Sequence, residues 1–186
     1  QQHNVISEIR IPRDLGAILV GMSLSVAGAV IQGVTKNELA DPSLIGLNSG
    51  ASFMLAITFA FYPNASFLIL MVAGFLGAML GGFIVLTIGR SKRNGFNVMK
   101  IILAGVAVSS LLTALSQGIA LIFKLNQSLT FWIAGGVSGT TWEQLIWSGP
   151  IIIITIVIFI ILSRQLTILN LGESLAKGLG QNIAFI

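Results

Sequence analysis

Apolar residues gather into five uncharged stretches, at 15–34, 43–62, 66–89, 101–123 and 144–163, with short polar segments between them. A helix rises about 1.5 Å per residue, so about 20 apolar residues cross the roughly 30 Å hydrocarbon layer of a bilayer. The pattern predicts an all-α, polytopic transmembrane helix bundle of about five spanning helices. Between Lys124 and Thr141, the run Leu129-Thr130-Phe131-Trp132-Ile133-Ala134 is too short and too broken by glycine to span, and reads as a short outer helix or a re-entrant piece. No long-period repeat, low-complexity tract or linker divides the chain, so residues 1–186 are expected to form a single transmembrane domain.

Composition agrees and removes several functions. With 55% hydrophobic and 9% charged residues and a mean hydropathy of +0.96, the chain lies outside the range of ordinary soluble domains. The absence of cysteine and the single histidine, His3, exclude disulfides, thiolate metal sites and imidazole clusters, so neither a metal nor a cofactor is expected. The net charge of +4 needs no nucleic acid to explain it, because an excess of Lys and Arg is usual in cytoplasmic loops. Lys36, Arg90, Lys92, Arg93, Lys100, Arg164 and Lys177 fall on one side of the layer, and Arg10, Arg13 and Lys124 on the other. The first group is therefore cytoplasmic, and Trp132, Trp142 and Trp147 then lie near the outer interface, where indoles concentrate. The opening Gln1-Gln2-His3-Asn4 has no initiator Met and no charged segment before an apolar core, which suggests a fragment of a longer membrane subunit.

Small residues recur every fourth position at Gly21, Ser25, Ala29 and Gly33 in the first span and at Gly74, Ala78 and Gly82 in the third. That spacing lets helix backbones approach closely in lipid, although a pore lining would look the same. In the fourth span Gly105, Ser109, Thr113 and Gln117 share a face, and Gln32 lies near the inner end of the first. Interhelical hydrogen bonds and a polar pathway both account for such groups. Every Asp and Glu sits at a helix end or in a loop, so cargo is expected to bring its own coordination shell or to be a neutral organic molecule.

Catalysis finds little support. Gly136-Val137-Ser138-Gly139 resembles the nucleophile segment of rhomboid-like intramembrane proteases, yet no span carries a histidine to act as base. No G-x-x-x-x-G-K-[ST] loop is present, so by that route any ATP hydrolysis belongs to a separate subunit and the chain is not an enzyme.

Four stretches together resemble one family. Arg10-Ile11-Pro12-Arg13 leads into the small-residue helix through Gln32-Gly33, followed by Asn37-Glu38-Leu39-Ala40-Asp41-Pro42-Ser43-Leu44-Ile45-Gly46 and Ser49-Gly50-Ala51. Trp132-Ile133-Ala134-Gly135-Gly136 with Trp142, and then Leu171-Gly172-Glu173-Ser174-Leu175-Ala176-Lys177-Gly178-Leu179-Gly180, complete the set. In order and spacing these resemble the permease subunits of iron-siderophore and vitamin B12 ABC importers, the FecCD-type transmembrane family. Glu38 stands where that family usually has Pro, and Gly136 where it often has Ser.

The resemblance implies spans two to six of about ten in one subunit of a bacterial plasma-membrane importer of ferric siderophore, haem or cobalamin. Its implied partners are a second permease subunit, two cytoplasmic ATP-binding subunits, an extracytoplasmic substrate-binding protein and membrane lipid. By the same resemblance Arg10 and Arg13 would dock the binding protein and Asn37 and Leu39 would form the cytoplasmic gate, while Gln32, Ser109, Thr113 and Gln117 are pathway candidates from their helix positions alone. Residues 165–186 would form a cytoplasmic coupling segment, whose helix would engage the ATPase through Gly172, Glu173, Leu175, Ala176, Leu179 and Gly180. A channel or an assembly scaffold without ATP coupling is the alternative. Neither needs an outward arginine pair.

Overall fold

The computed structural model describes residues 5–38, 40–91, 95–96 and 98–170. A π-helical turn, Ile6–Arg10, runs into α1 (Ile11–Thr35). A 3-10 turn, Pro42–Ile45, precedes α2 (Leu47–Phe61) and α3 (Phe67–Gly89). The two-residue strands β1 (Arg90–Ser91) and β2 (Gly95–Phe96) follow, then α4 (Val98–Ile122), α5 (Asn126–Gly135) and α6 (Trp142–Asn170). The all-α expectation holds apart from one antiparallel pairing in the α3–α4 connection, with Arg90 opposite Phe96 and Ser91 opposite Gly95. The short helix expected after Lys124 forms as α5.

Among the described residues, Ile6–Thr35, Phe67–Gly89, Met99–Ile122 and Trp142–Ser163 are long and apolar enough to cross a membrane. The stretch expected as the second span differs. Gly46 takes a left-handed conformation, φ 80°, between the 3-10 turn and α2, so residues 43–62 are not one continuous helix. The 15 residues of α2 cover only about 23 Å, and the 3-10 turn adds length ahead of them.

The backbone divides into two compact units, Gln1–Pro42 with Val137–Ile186, and Ser43–Gly136. In the second unit α2 and α3 cross antiparallel at glycines. A Cβ on Gly50 would meet the Gly77 carbonyl, one on Gly77 would meet the Gly50 carbonyl, and one on Gly81 would meet the Gly46 carbonyl. In lipid, where hydrophobic association between helices is weak, backbone contact of this kind supplies dispersion energy that larger side chains would block. Two clusters fill the remaining interior. Val85, Ile101, Ala104, Val108 and Leu112 form one. Ala56, Phe59, Leu70, Ala120 and Leu129 form the other, which brings in α5. Trp132 of α5 stacks on Phe67 at 6.3 Å between ring centroids and tilts against Phe59 at 6.4 Å.

The first unit pairs α1 with α6 near the starts of both helices. Gly16 is buried against Thr140, whose Cγ2 would lie 3.0 Å from a Cβ at that position. Thr141 and Gln144 cap α6 reciprocally: the Gln144 N–H donates to the Thr141 hydroxyl at 3.4 Å, and the Thr141 N–H donates to Gln144 Oε1 at 3.3 Å. With 29 residues α6 is about 43 Å long, more than the hydrocarbon layer needs.

Candidate functional site

The N-terminal end of α1 and the turn before it carry the arginine pair. Arg10 closes the π-helical turn, and Arg13 lies in the first turn of α1, where Pro12 is fully buried and needs no N–H partner. Both arginines are exposed. Arg13 Nε lies 3.6 Å from Asp14 Oδ1, with the two side chains 47% and 68% exposed, so this contact holds the guanidinium only weakly. Behind them the Trp142 indole N–H donates to the Ser7 carbonyl at 2.9 Å. The affinity of indoles for membrane interfaces gives Trp142 no link to the arginines; the Thr-x-x-Gln capping box at 141–144 is the local signal that fixes its place.

At the other end of α1, Lys36 adopts φ 52°, a left-handed stop more often taken by glycine. The Lys36 N–H donates to the Gly33 carbonyl and the Asn37 N–H to the Gln32 carbonyl, each at 3.2 Å, which is the double-bonded helix end that satisfies otherwise orphaned carbonyls. Gln32 and Asn37, two of the candidate pathway and gate residues, are thereby brought together: Gln32 exposed, Asn37 half-buried. The Ala40 N–H donates to the Asn37 carbonyl at 3.1 Å, which closes the following turn. Leu39, the other gate candidate, lies outside the described residues.

In the second unit the face expected from Gly105, Ser109, Thr113 and Gln117 divides. Gly105 is buried against the Leu44 carbonyl, and the half-buried Ser109 hydroxyl lies near Gly46. Thr113 and Gln117 are exposed. A stripe spaced four residues apart drifts about 40° per step, or about 120° from 105 to 117, so one packing partner cannot cover all of it. The buried polar group on α4 is instead Ser116, 5% exposed, whose hydroxyl donates to the Ser52 carbonyl at 3.2 Å. Sequence spacing pointed to its neighbour Gln117; the alternation of Leu112, Ser116 and Ala120 with the apolar interior was the available signal.

The small-residue stripe of α3 is displaced in the same sense. Gly77 and Gly81 make the close backbone crossing and Gly82 is buried beside it, where a Cβ would lie 3.0 Å from Leu47 Cδ2, whereas a Cβ on Gly74 would have nothing within 4 Å. The first-span stripe also stands open at Gly21, where a Cβ would meet nothing within 4 Å. The Gly136–Gly139 segment is a turn in which Gly136 takes φ 52°. His3 and the coupling candidates Gly172, Glu173, Leu175, Ala176, Leu179 and Gly180 lie outside the described residues. Among the described residues, no group of three or more His, Cys, Asp or Glu side chains could hold a metal ion.

Residues 1–186 match the FecCD transport family. The chain is 44% identical over 181 residues to the iron(3+)-hydroxamate import system permease protein FhuB of Bacillus subtilis (strain 168), covering 96% of this chain and 47% of that protein. It is 35% identical over 188 residues to the Fe(3+) dicitrate transport system permease protein FecC of Escherichia coli (strain K12), covering 96% and 54%. The chain thus spans about half the length of the curated relatives it matches. A solved metal-chelate type ABC transporter in an inward-facing conformation superposes with a TM-score of 0.82 at 30% identity, over 98% of this chain and 59% of that one. The chain belongs to the FecCD transport family of membrane permeases.

Proposed function

We propose that this chain is part of the permease subunit of an ATP-driven importer that moves an intact iron chelate, a ferric siderophore or a compound of that kind, across a bacterial plasma membrane. The observation that carries the proposal is the exposed pair Arg10 and Arg13, set on a defined helical turn at the end of α1 that the charge distribution puts outside. Positive residues are favoured on the cytoplasmic side, so insertion gives no reason for them there. Their planar guanidinium groups suit bidentate recognition of carboxylates on an extracytoplasmic binding protein. The names and fold of the relatives support iron chelate as cargo. In this reading the permease pairs with a second permease subunit and with two cytoplasmic ATPase subunits, the latter seated on the segment after α6.

The test is charge reversal. In the complete transporter, Arg10→Glu with Arg13→Glu should weaken binding-protein association at least tenfold and lower uptake, while the subunit still inserts and still copurifies with the ATPase. Unchanged association would remove the docking role. A transporter that assembled and moved ferric chelate without any binding protein or ATPase would favour a channel.

A further inference from the structure

The π-helical turn ahead of α1 is tied to the first residue of α6 by a side-chain hydrogen bond. The Ile11 N–H reaches back five residues to the Ile6 carbonyl, which is the π pattern. By the same pattern the Ser7 carbonyl faces position 12, and Pro12 has no N–H to give. The donor four residues on, at Ile11, is already engaged by Ile6. The Trp142 indole donates to the Ser7 carbonyl instead, at 2.9 Å. The indole is well placed for this because the Thr141–Gln144 box fixes the start of α6, and Thr140, just before it, sits against Gly16 one turn beyond Pro12.

A π turn is unfavourable beside an α-helix and persists where outside contacts hold it. Arg10 is the last residue of that turn, and Arg13 lies within the regular helix. The separation and relative direction of the two guanidinium groups therefore depend on whether the turn closes over five residues or relaxes to four. Bidentate recognition tolerates displacements of only about 0.5 Å and 10–20°.

We propose that Trp142 is a positioning residue for binding-protein docking: its indole N–H holds the π turn that sets Arg10 in register with Arg13. This rests on the docking role assigned to the two arginines above. Trp142 acts through them and does not itself touch the partner. It also makes the first residue of α6 the anchor of the docking turn, so the helix that leads towards the cytoplasmic segment grips the outer face directly.

The experiment is a double-mutant cycle on the complete transporter in lipid nanodiscs, titrated with its cargo-free binding protein. Trp142→Phe keeps a ring and removes the donor, and should weaken association about fivefold, the worth of one hydrogen bond. Arg10→Ala with Arg13→Ala should weaken it at least tenfold, and adding Trp142→Phe to that variant should change nothing further. If the arginine variant weakens association and Trp142→Phe does not, the positioning role is wrong and the docking role stands. An equal additional loss in both backgrounds shows Trp142 acting apart from the arginines and overturns the proposal. Full association in the arginine variant removes the docking role and this inference with it. A readout on the unmodified protein guards against a variant that fails to assemble. The Trp142 indole N–H resonance of tryptophan-labelled permease should shift during the titration with the midpoint of association, and a resonance that stays unmoved at saturation rejects the proposal.

Discussion

Gly77→Ala places a methyl group where α3 meets the Gly50 carbonyl of α2, with Met54 Cβ and Cγ each 2.7 Å away. Gly50→Ala is the mirror perturbation, directed at the Gly77 carbonyl. Met54 Cγ can rotate away, but Met54 Cβ and a backbone carbonyl inside a helix cannot, so the helices must separate. Overpacking of this kind costs about 1–3 kcal/mol, and an immovable neighbour puts it near about 3 kcal/mol. Alanine in a helix interior gains about 1 kcal/mol over glycine, which leaves each single variant about 2 kcal/mol less stable than the parent. Once one methyl has separated the helices, the second enters a gap that already exists and adds its own helix propensity. The double variant should therefore lose only about 1–2 kcal/mol, against about 4 kcal/mol if the two effects were independent, a coupling of the size expected between residues in contact.

The assay is reversible unfolding of the purified full-length permease in mixed micelles, followed by tryptophan fluorescence, with the two single variants and the double compared in one detergent. A loss of about 2 kcal/mol shifts the folded-to-unfolded ratio about 30-fold, well within measurement. Two single variants as stable as the parent would show that the glycines do not set the α2–α3 distance. A double variant that loses the full sum would show that the two contacts are not one crossing.

Two further outcomes test the inner side. Asn37→Cys with Leu39→Cys, in the complete permease pair, should form cross-links between subunits or change thiol accessibility when ATP binds, because the polar turn after α1 is proposed as the cytoplasmic gate; no approach to the symmetry axis at any stage removes that role. Ala176→Trp should block seating of the segment after α6 on the ATPase and uncouple hydrolysis from uptake without impairing insertion, and full ATPase association with normal uptake would show that the segment rests only on lipid.

Periodicity revealed the helices better than their contacts, and the reason is visible in α3. That helix carries small residues in two neighbouring columns, Gly74-Ala78-Gly82 and Gly77-Gly81. Both columns satisfy the four-residue spacing and both reach α2, Gly82 against Leu47, so sequence alone cannot say which one makes the backbone crossing. The choice is made by α2, whose Gly46 and Gly50 are also four apart and align antiparallel with Gly81 and Gly77. On α4 the limitation is angular. A strict four-residue stripe drifts about 40° per step, so Gly105 at its start is buried and Gln117 at its end is exposed. At residues 43–62 hydropathy finds the apolar helix but does not register that Gly46 takes a positive φ and divides the run into a 3-10 turn and α2.

The end of α1 proposed to dock a binding protein shows what kind of signal survives in a sequence. Arg10 and Arg13 stood out because charge placement obeys a rule in membranes and these two break it. Pro12 stood out as a rigid start for α1, but its further effect, removing the donor that Ser7 would use in a π turn, depends on a backbone pattern no propensity scale contains. The group that answers it, Trp142, lies 135 residues away in the chain. An indole at an interface has an ordinary explanation in its affinity for the headgroup region, which hides a specific bond. The local sequence did hold half of the answer, because Thr141 and Gln144 form a capping box that fixes where α6 begins. What it could not hold is the pairing of α1 with α6, which Gly16 permits by leaving room for Thr140. A small residue in one helix and a cap in another thus decide where a third residue's N–H points, and that direction sets the presentation of the two charges that sequence made plain.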